Sequence, residues 1–279
     1  MVSLRRTVRF SLPPTGRPLA AGGSDVWSRP KHNAFAGWPA SSGISVYGEL
    51  HVEVEGEPDP HSGYLVNITE IDRAVRELAL PWMHERYAEQ FAIGGAIEPA
   101  TLLPEVTRRM SAALPVRVRS LGWQVTPLHS VTFETSMPNL VELRQSFEFS
   151  ASHRLHCTEY DDDTNRRIFG KCNNPNGHGH NYRVEVAVAV PLGEVGRAPN
   201  PSALGLPQLE AIVDATVIRR FDHKHLNSDC PEFALVNPSV EHIAKVCHDL
   251  LVKPLDAAGG ALRRVTVWET EKTSCTYPS

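Results

Sequence analysis

Alternation and helical periodicity both occur in this chain, and their order repeats. In the second half, residues 144–153 alternate loosely and predict a strand ending at His153. Tyr182, Val184, Val186, Val188 and Val190 then mark a strict period of two over 180–190, a half-buried strand. Leu209, Ile212, Val213, Thr216 and Val217 follow a helical period, and so do Val240, Ile243, Ala244, Cys247, Leu250 and Leu251. Asn237-Pro238 stands before the second of these helices as a cap followed by a first-turn proline. Residues 265–270 predict a strand and 273–277 a short partner. The first half runs in similar order. Residues 6–12 and 47–55 read as strands. Asn67-Ile-Thr-Glu70 has the form of a capping box ahead of a helix that presents Ile71, Val75 and Leu78 on one face. Residues 105–114 give a second helix and 130–135 a late strand.

The two halves are also in phase. Tyr182 follows Tyr47, and Glu269 follows Glu134, at the same spacing of 135 residues. Phe133-Glu134-Thr135 then answers Trp268-Glu269-Thr270. This predicts a duplicated domain, with the break at 136–143, where Met137-Pro138-Asn139 interrupts the pattern. Two unrelated domains with similar patterning are the alternative. The expected division is 1–138 and 139–279.

Composition narrows the function classes. Of the 279 residues 41% are apolar and 22% charged, and the net charge is −4 without a long basic run. That is ordinary for a packed globular chain and offers no footprint for nucleic acid. No stretch approaches the apolar length of a membrane span. The N-terminal arginines are not followed by the apolar run of a secretory signal. Five cysteines, all in the second half, suit a reducing cytoplasm better than a disulfide framework.

Candidate chemistry gathers in the second half. His178 and His180 project from one face at the start of a strand, and His153 ends the strand before it. If those strands pair, three imidazoles meet, leaving a fourth position open on a zinc ion, the arrangement of a catalytic site. His156 is the competitor of His153, but it lies in the loop. Cys172 has two readings: a fourth ligand closing a structural site, or a thiolate base whose pKa is lowered by the metal and by Lys171. Asp222-His223 reads as a proton relay or, more plainly, as a solvated helix end. Glu269 reads as an acceptor for a planar amino-heterocycle or as a strand-end charge.

Taken together, FSASHRL (149–155), FGKCNNPNGHGHNY (169–182), FDHKHLN (221–227), NPSVEHIA (237–244) and VTVWET (265–270) resemble the 6-pyruvoyl-tetrahydropterin synthase family over about 144–279. The resemblance implies an α+β architecture: tandem tunnelling-fold domains, each an antiparallel four-stranded sheet with two helices on one face. It implies zinc on His153, His178 and His180, one ion per chain, and leaves room for Mg2+ beside it. It implies Cys172 as general base with Asp222 and His223 completing the relay, Glu269 anchoring the pterin, and Glu241 and Ser239 lining its pocket. Ser239 departs from the threonine usual there.

The implied reaction turns 7,8-dihydroneopterin triphosphate into 6-pyruvoyl-tetrahydropterin with release of triphosphate. The related 6-carboxy-tetrahydropterin synthase of queuosine biosynthesis takes the same substrate. Arg154, Arg166, Arg167, Lys171 and Lys224 are candidates for holding the triphosphate. A homo-oligomer without nucleic-acid or membrane partners is implied. In the first half Gly37, Gly43 and Ser45 stand where Cys172, His178 and His180 fall, and His32, His51, His61 and His84 lack the paired spacing. That half is expected to be a degenerate copy without zinc ligands. A zinc hydrolase and a non-catalytic pterin- or metal-binding scaffold are the competing classes.

Overall fold

The computed structural model describes residues 1–12, 45–95, 97–193 and 204–279. The chain divides into two compact units, Met1–Glu142 with Pro191–Ala203, and Leu143–Val190 with Leu204–Ser279.

In the first unit, β1 (Val2–Leu12) and β2 (Val46–Gly56) pair antiparallel in an unbroken register from Val2↔Gly56 to Leu12↔Val46. A helical run follows: α1 (Ile68–Ala74), a π-helical turn (Val75–Ala79) and α2 (Leu80–Ala92). Next come α3 (Pro99–Ala113), β3 (Arg117–Gln124) and β4 (His129–Glu134). The strands are ordered β1-β2-β3-β4. Val8, Phe10, Leu50, Val52, Val54, Leu121 and Val131 are buried together with Ile71, Val75, Leu103 and Val106 of the helices. The other face of the sheet is laced by cross-strand ion pairs such as Arg9–Glu49 and Arg119–Glu53. One-sided burial of this kind is why β2 reads as a clean alternation.

The second unit uses the same order with more decoration. Its sheet runs β5 (Leu140–His153), β6 (His178–Pro191), β8 (Ala261–Thr270) and β9 (Thr273–Tyr277). Between β5 and β6 lie α4 (Asp162–Phe169) and a 3-10 turn (Gly170–Asn173). After β6 come α5 (Leu206–Val213), a π-helical turn (Asp214–Ile218), α6 (Arg219–Phe221), the two-residue β7 (Lys224–His225) and α7 (Leu226–Asp229). The long α8 (Val240–Ala257) precedes β8. Tyr182, Val184, Val186 and Val188 face Leu209, Val217, Ile243, Cys247, Leu251 and Leu255, all without solvent exposure. Each unit is thus a four-stranded antiparallel sheet with helices on one face, the architecture of the tunnelling fold.

Two irregularities recur in both units. The β2–β3 register shifts at Glu53/Val54, and the β6–β8 register shifts at Ala187/Val188. The first helix after the second strand of each unit, α1 and α5, runs into a π-helical turn seven or eight residues after its start. Bulges and π turns cost local regularity, so their recurrence at matching places is more telling than that of ordinary strands.

Several expectations need correction. Leu78 is 36% exposed, and Ala79 takes the buried place. The π turn closes Leu80 N–H onto Val75 O, adding a residue to the turn and rotating the apolar face by one position. Helix α8 is capped not by Asn237 but by Ser239, whose hydroxyl accepts from His242 N–H, and Pro238 lies outside the helix. Asn67 caps α1 by accepting from Thr69 N–H, but Glu70 makes no reciprocal side-chain bond among the described residues. The match of Glu134 to Glu269 also fails: Glu134 ends the fourth strand of its sheet, whereas Glu269 lies on the third of its own. The spacing of 135 is lost already in the second strands: Tyr47 is 46% exposed whereas Tyr182 is fully buried, and the matching register shifts at Glu53/Val54 and Ala187/Val188 put the two strands 134 residues apart.

Candidate active site

Strands β5 and β6 are neighbours, so the end of one lies beside the start of the other. That brings His153, His178 and His180 together, with one ligand atom from each within 4.8 Å of the others. Gly177 makes the approach possible. Its φ is +70°, and a Cβ there would lie 2.9 Å from His153 O and 3.0 Å from His225 Nε2.

The protonation of His153 follows from its partners. Its Nδ1 is 2.7 Å from Pro238 O, which can only accept, so Nδ1 carries the proton and Nε2 a lone pair. That lone pair faces His178 Nε2 at 3.1 Å and Glu269 Oε1 at 3.3 Å. Burial, opposed only in part by the bond to Pro238, pulls the His153 pKa down to about 4, so the ring is neutral near pH 7. His180 Nε2 is 3.5 Å from the same carboxylate oxygen, is buried, and has no hydrogen-bond partner. A cage of inward-facing acceptors suits a cation. Tetrahedral zinc with bonds of about 2.0–2.1 Å needs ligand atoms roughly 3.3 Å apart; His153 and His178 have that spacing at 3.1 Å, and His180 lies within 4.8 Å of both. The three histidines therefore fit the metal. His156 stands outside the group, its Nδ1 3.3 Å from Arg154 Nη2.

Cys172 lies in the 3-10 turn, half-buried, and its thiol is free. Burial first, and the Glu269 carboxylate second, push its pKa up. Lys171 is exposed and does not offset the burial of its neighbour, so any stabilisation of the thiolate has to come from a bound cation.

Asp222 and His223 form a pair, Asp222 Oδ2 to His223 Nδ1 at 2.8 Å. Both are anchored on β5: Ser150 N–H donates to Asp222 Oδ1, and His223 N–H donates to Ser150 O. The bond from Ser150 N–H first, and then the His223 imidazole, hold the Asp222 pKa down. His223 adopts a positive φ of 57°, and its side chain is 83% exposed. It opens on a pocket of about 640 Å3 that also touches His180, Ser150, Ser152 and Asn181 but not Cys172. Among the described residues, neither Asp222 nor His223 bonds to Cys172. The structure thus brings the three histidines and Glu269 together and leaves the relay pair apart from the thiol.

Glu241 stands in the first turn of α8, where its carboxylate is held below its ordinary pKa, first by the Ser239 hydroxyl. The chain just before it supplies the Pro238 carbonyl that orients His153. Of the candidate phosphate-binding cations, Arg154 is engaged by Asn173, and Arg166 by Asp163. Arg167 is 3.4 Å from Thr164 Oγ1, while Lys224 lines the open pocket. Gly37, Gly43 and His32 lie outside the described residues. Ser45 precedes β2 directly, and no second cluster of metal-ligating side chains occurs among the described residues.

Pattern reading passed over four contributors. Pro238 acts through a main-chain carbonyl, which no side-chain motif records. Tyr182 is fully buried, with an unpartnered hydroxyl and a pKa pushed far up by burial and then by Glu269 and Cys172. Asn173 and Asn227 are anchors whose only outward sign was a position next to Cys172 and the Asp222-His223 segment.

A family model described as 6-pyruvoyl tetrahydropterin synthase matches residues 142–279. The human 6-pyruvoyl tetrahydrobiopterin synthase is 39% identical over 136 residues, which span 49% of this chain and 90% of the human protein. The chain belongs to the 6-pyruvoyl tetrahydropterin synthase family. The Dictyostelium discoideum protein of the same name is 32% identical over 141 residues, covering 50% of this chain and 98% of the relative. The solved Caenorhabditis elegans 6-pyruvoyl tetrahydropterin synthase aligns with 50% of this chain and 96% of its own at 32% identity, with a TM-score of 0.44. The family model begins at residue 142 and so leaves residues 1–141 outside it. No helix among the described residues is long and apolar enough to cross a membrane.

Proposed function

We propose that this chain is a zinc-dependent lyase that converts 7,8-dihydroneopterin triphosphate to 6-pyruvoyl-tetrahydropterin and releases triphosphate. The observation that carries the reading is the orientation of His153. Its Nδ1–H is spent on Pro238 O, leaving a neutral ring that points its lone pair at His178 and Glu269. His153, His178 and His180 hold the ion. Zinc supplies a Lewis acid that acidifies the substrate side-chain hydroxyl and C–H groups. Cys172 takes and returns protons at those carbons. Asp222 orients His223 through the 2.8 Å bond and stabilises it when it carries a proton. Glu269 accepts from the amino and ring N–H groups of the pterin, and Ser239 and Glu241 line its far side. Triphosphate leaves by elimination, so no water nucleophile is needed.

Assembly follows from the separation of Cys172 from the relay pair. A homo-oligomer completes each site with Asp222 and His223 from a neighbouring copy. The first unit is a degenerate copy of the second, a reading supported by the recurrent bulge and π turn. It serves assembly rather than catalysis, and one zinc per chain is expected.

The test is an anaerobic incubation of zinc-loaded protein with 7,8-dihydroneopterin triphosphate, with products identified by mass. The expected outcome is a pyruvoyl-pterin plus triphosphate. A carboxy-pterin with a two-carbon fragment would move the chain to the 6-carboxy reaction on the same site. Hydrolysis of generic phosphoesters without pterin turnover, or zinc binding with no turnover, would overturn the lyase reading.

A further inference from the structure

Arg154 stands between the two halves of the proposed chemistry. It follows the ligand His153 directly. Its main chain is gripped by one asparagine: Arg154 N–H donates to Asn227 Oδ1 at 2.8 Å, and Asn227 Nδ2 donates to Arg154 O at 2.9 Å. Its guanidinium grips another. Nη2 donates to Asn173 Oδ1 at 2.8 Å, and Nε lies 3.2 Å from Asn173 O and 3.3 Å from Asn173 Oδ1. Nη2 also approaches His156 Nδ1 at 3.3 Å. The next residue, Leu155, donates its N–H to Cys172 O at 2.9 Å. Asn173 is 8% exposed, so its amide has little water to turn to if the guanidinium is withdrawn.

We infer that Arg154 is the positioning residue for Cys172, holding the 3-10 turn that carries the thiol against the end of the strand that carries the metal ligand. A planar fork contacts the side-chain and main-chain oxygens of one asparagine, and the thiol is on the residue before it. Asn227 extends the clamp to the segment that follows Asp222 and His223, so three separate stretches of chain are tied to one arginine. With Nε and Nη2 turned onto Asn173 and His156, the proposal assigns Arg154 to holding the chain rather than to binding phosphate. The proposal rests on the lyase reading for its kinetic consequences but not for its structural ones.

The experiment uses the full chain, zinc-loaded, as Arg154→Lys, Asn173→Ala and the double variant. Lysine keeps the charge and loses the fork. Zinc content and thermal melting are measured first. Iodoacetamide labelling of Cys172 is then followed by peptide mass, and kcat and KM are measured separately for 7,8-dihydroneopterin triphosphate.

The expected result has five parts: zinc is retained, the Cys172 labelling rate changes several-fold, kcat falls about ten- to a hundredfold, KM stays nearly unchanged, and the double variant is no worse than the worse single one. A rise in KM with kcat and labelling unchanged would make Arg154 a phosphate ligand and overturn the proposal. So would unaltered labelling in both single variants. If Arg154→Lys does not fold, Asn173→Ala decides alone. If the wild-type protein does not turn the pterin over, the lyase reading fails, while the labelling measurement still decides the positioning role.

Discussion

The first two strands of each unit are built alike and end differently. β2 and β6 bury the same kind of apolar stripe, face a bulge at matching places on the neighbouring third strand and precede the same interrupted helix. β6 opens on His178-Gly179-His180, whereas β2 follows Ser45 and opens on Val46-Tyr47. The apolar stripe closes the sheet on its helices, and the residues at the strand entrance hold the chemistry. These two sets scarcely overlap. A unit can therefore lose its imidazoles and keep its core, which is how the proposed degenerate copy remains folded.

Removing ligands should break the comparison most severely. His178→Ala is expected to abolish turnover and to drop bound zinc from one per chain towards none, while Ser45→Ala leaves both unchanged; metal analysis with a pterin assay checks this. Two zinc ions per wild-type chain would end the idea that the first unit is empty. Next in size, Cys172→Ala should lower kcat by about 10²–10⁴-fold with zinc retained, since only proton transfer is lost.

Acid should separate the units less sharply. In metal-free protein, burial holds His153 near a pKa of about 4, below the ordinary 6.5. The unfolded chain therefore takes up the proton first as the pH falls. The associated stability is fully present above about 6.5 and is lost progressively towards about 4. Hydrogen exchange across that window should quicken in β5 and α8 more than in β1 and β2, and His153→Gln should remove the difference. Equal quickening in the two units would place the acid sensitivity elsewhere.

The smallest effect is at the caps. Asn67→Ala and Ser239→Ala should each cost about 1 kcal/mol of stability in denaturant melts. Only Ser239→Ala should also raise KM, because only that cap borders the proposed pterin pocket.

Sequence pattern exposed the strands with clean alternation and the three histidines, because side-chain period and ligand spacing are local properties. It did not expose β3. There Leu121, Gly122 and Trp123 are all buried in succession, so the period of two disappears. Helix α4 was hidden for the opposite reason: Asp162-Asp163-Thr164-Asn165-Arg166-Arg167 offers no apolar stripe, and only Asn165 is buried. The exposure of Leu78 could not be foreseen, since a π turn changes phase without changing composition. The separation of Cys172 from Asp222-His223 depends on tertiary placement that no spacing encodes. The role of Pro238 lies in a carbonyl that every residue possesses.

The bulge at Ala187/Val188 has a consequence for how the metal site is inherited. In β6, alternate residues belong to opposite faces, so His178, His180 and Tyr182 share one face while Gly179 and Asn181 share the other. A single-residue slip would present glycine and asparagine to the ion and turn the imidazoles away. The register shift opposite Ala187/Val188 is taken up by β8, where Arg263 is the extra residue, so β6 itself keeps one unbroken reading frame from its entrance onward. Insertions or deletions between Asn181 and Ala187 should thus be far more damaging to this protein than substitutions there, because they change the frame in which the histidines are read.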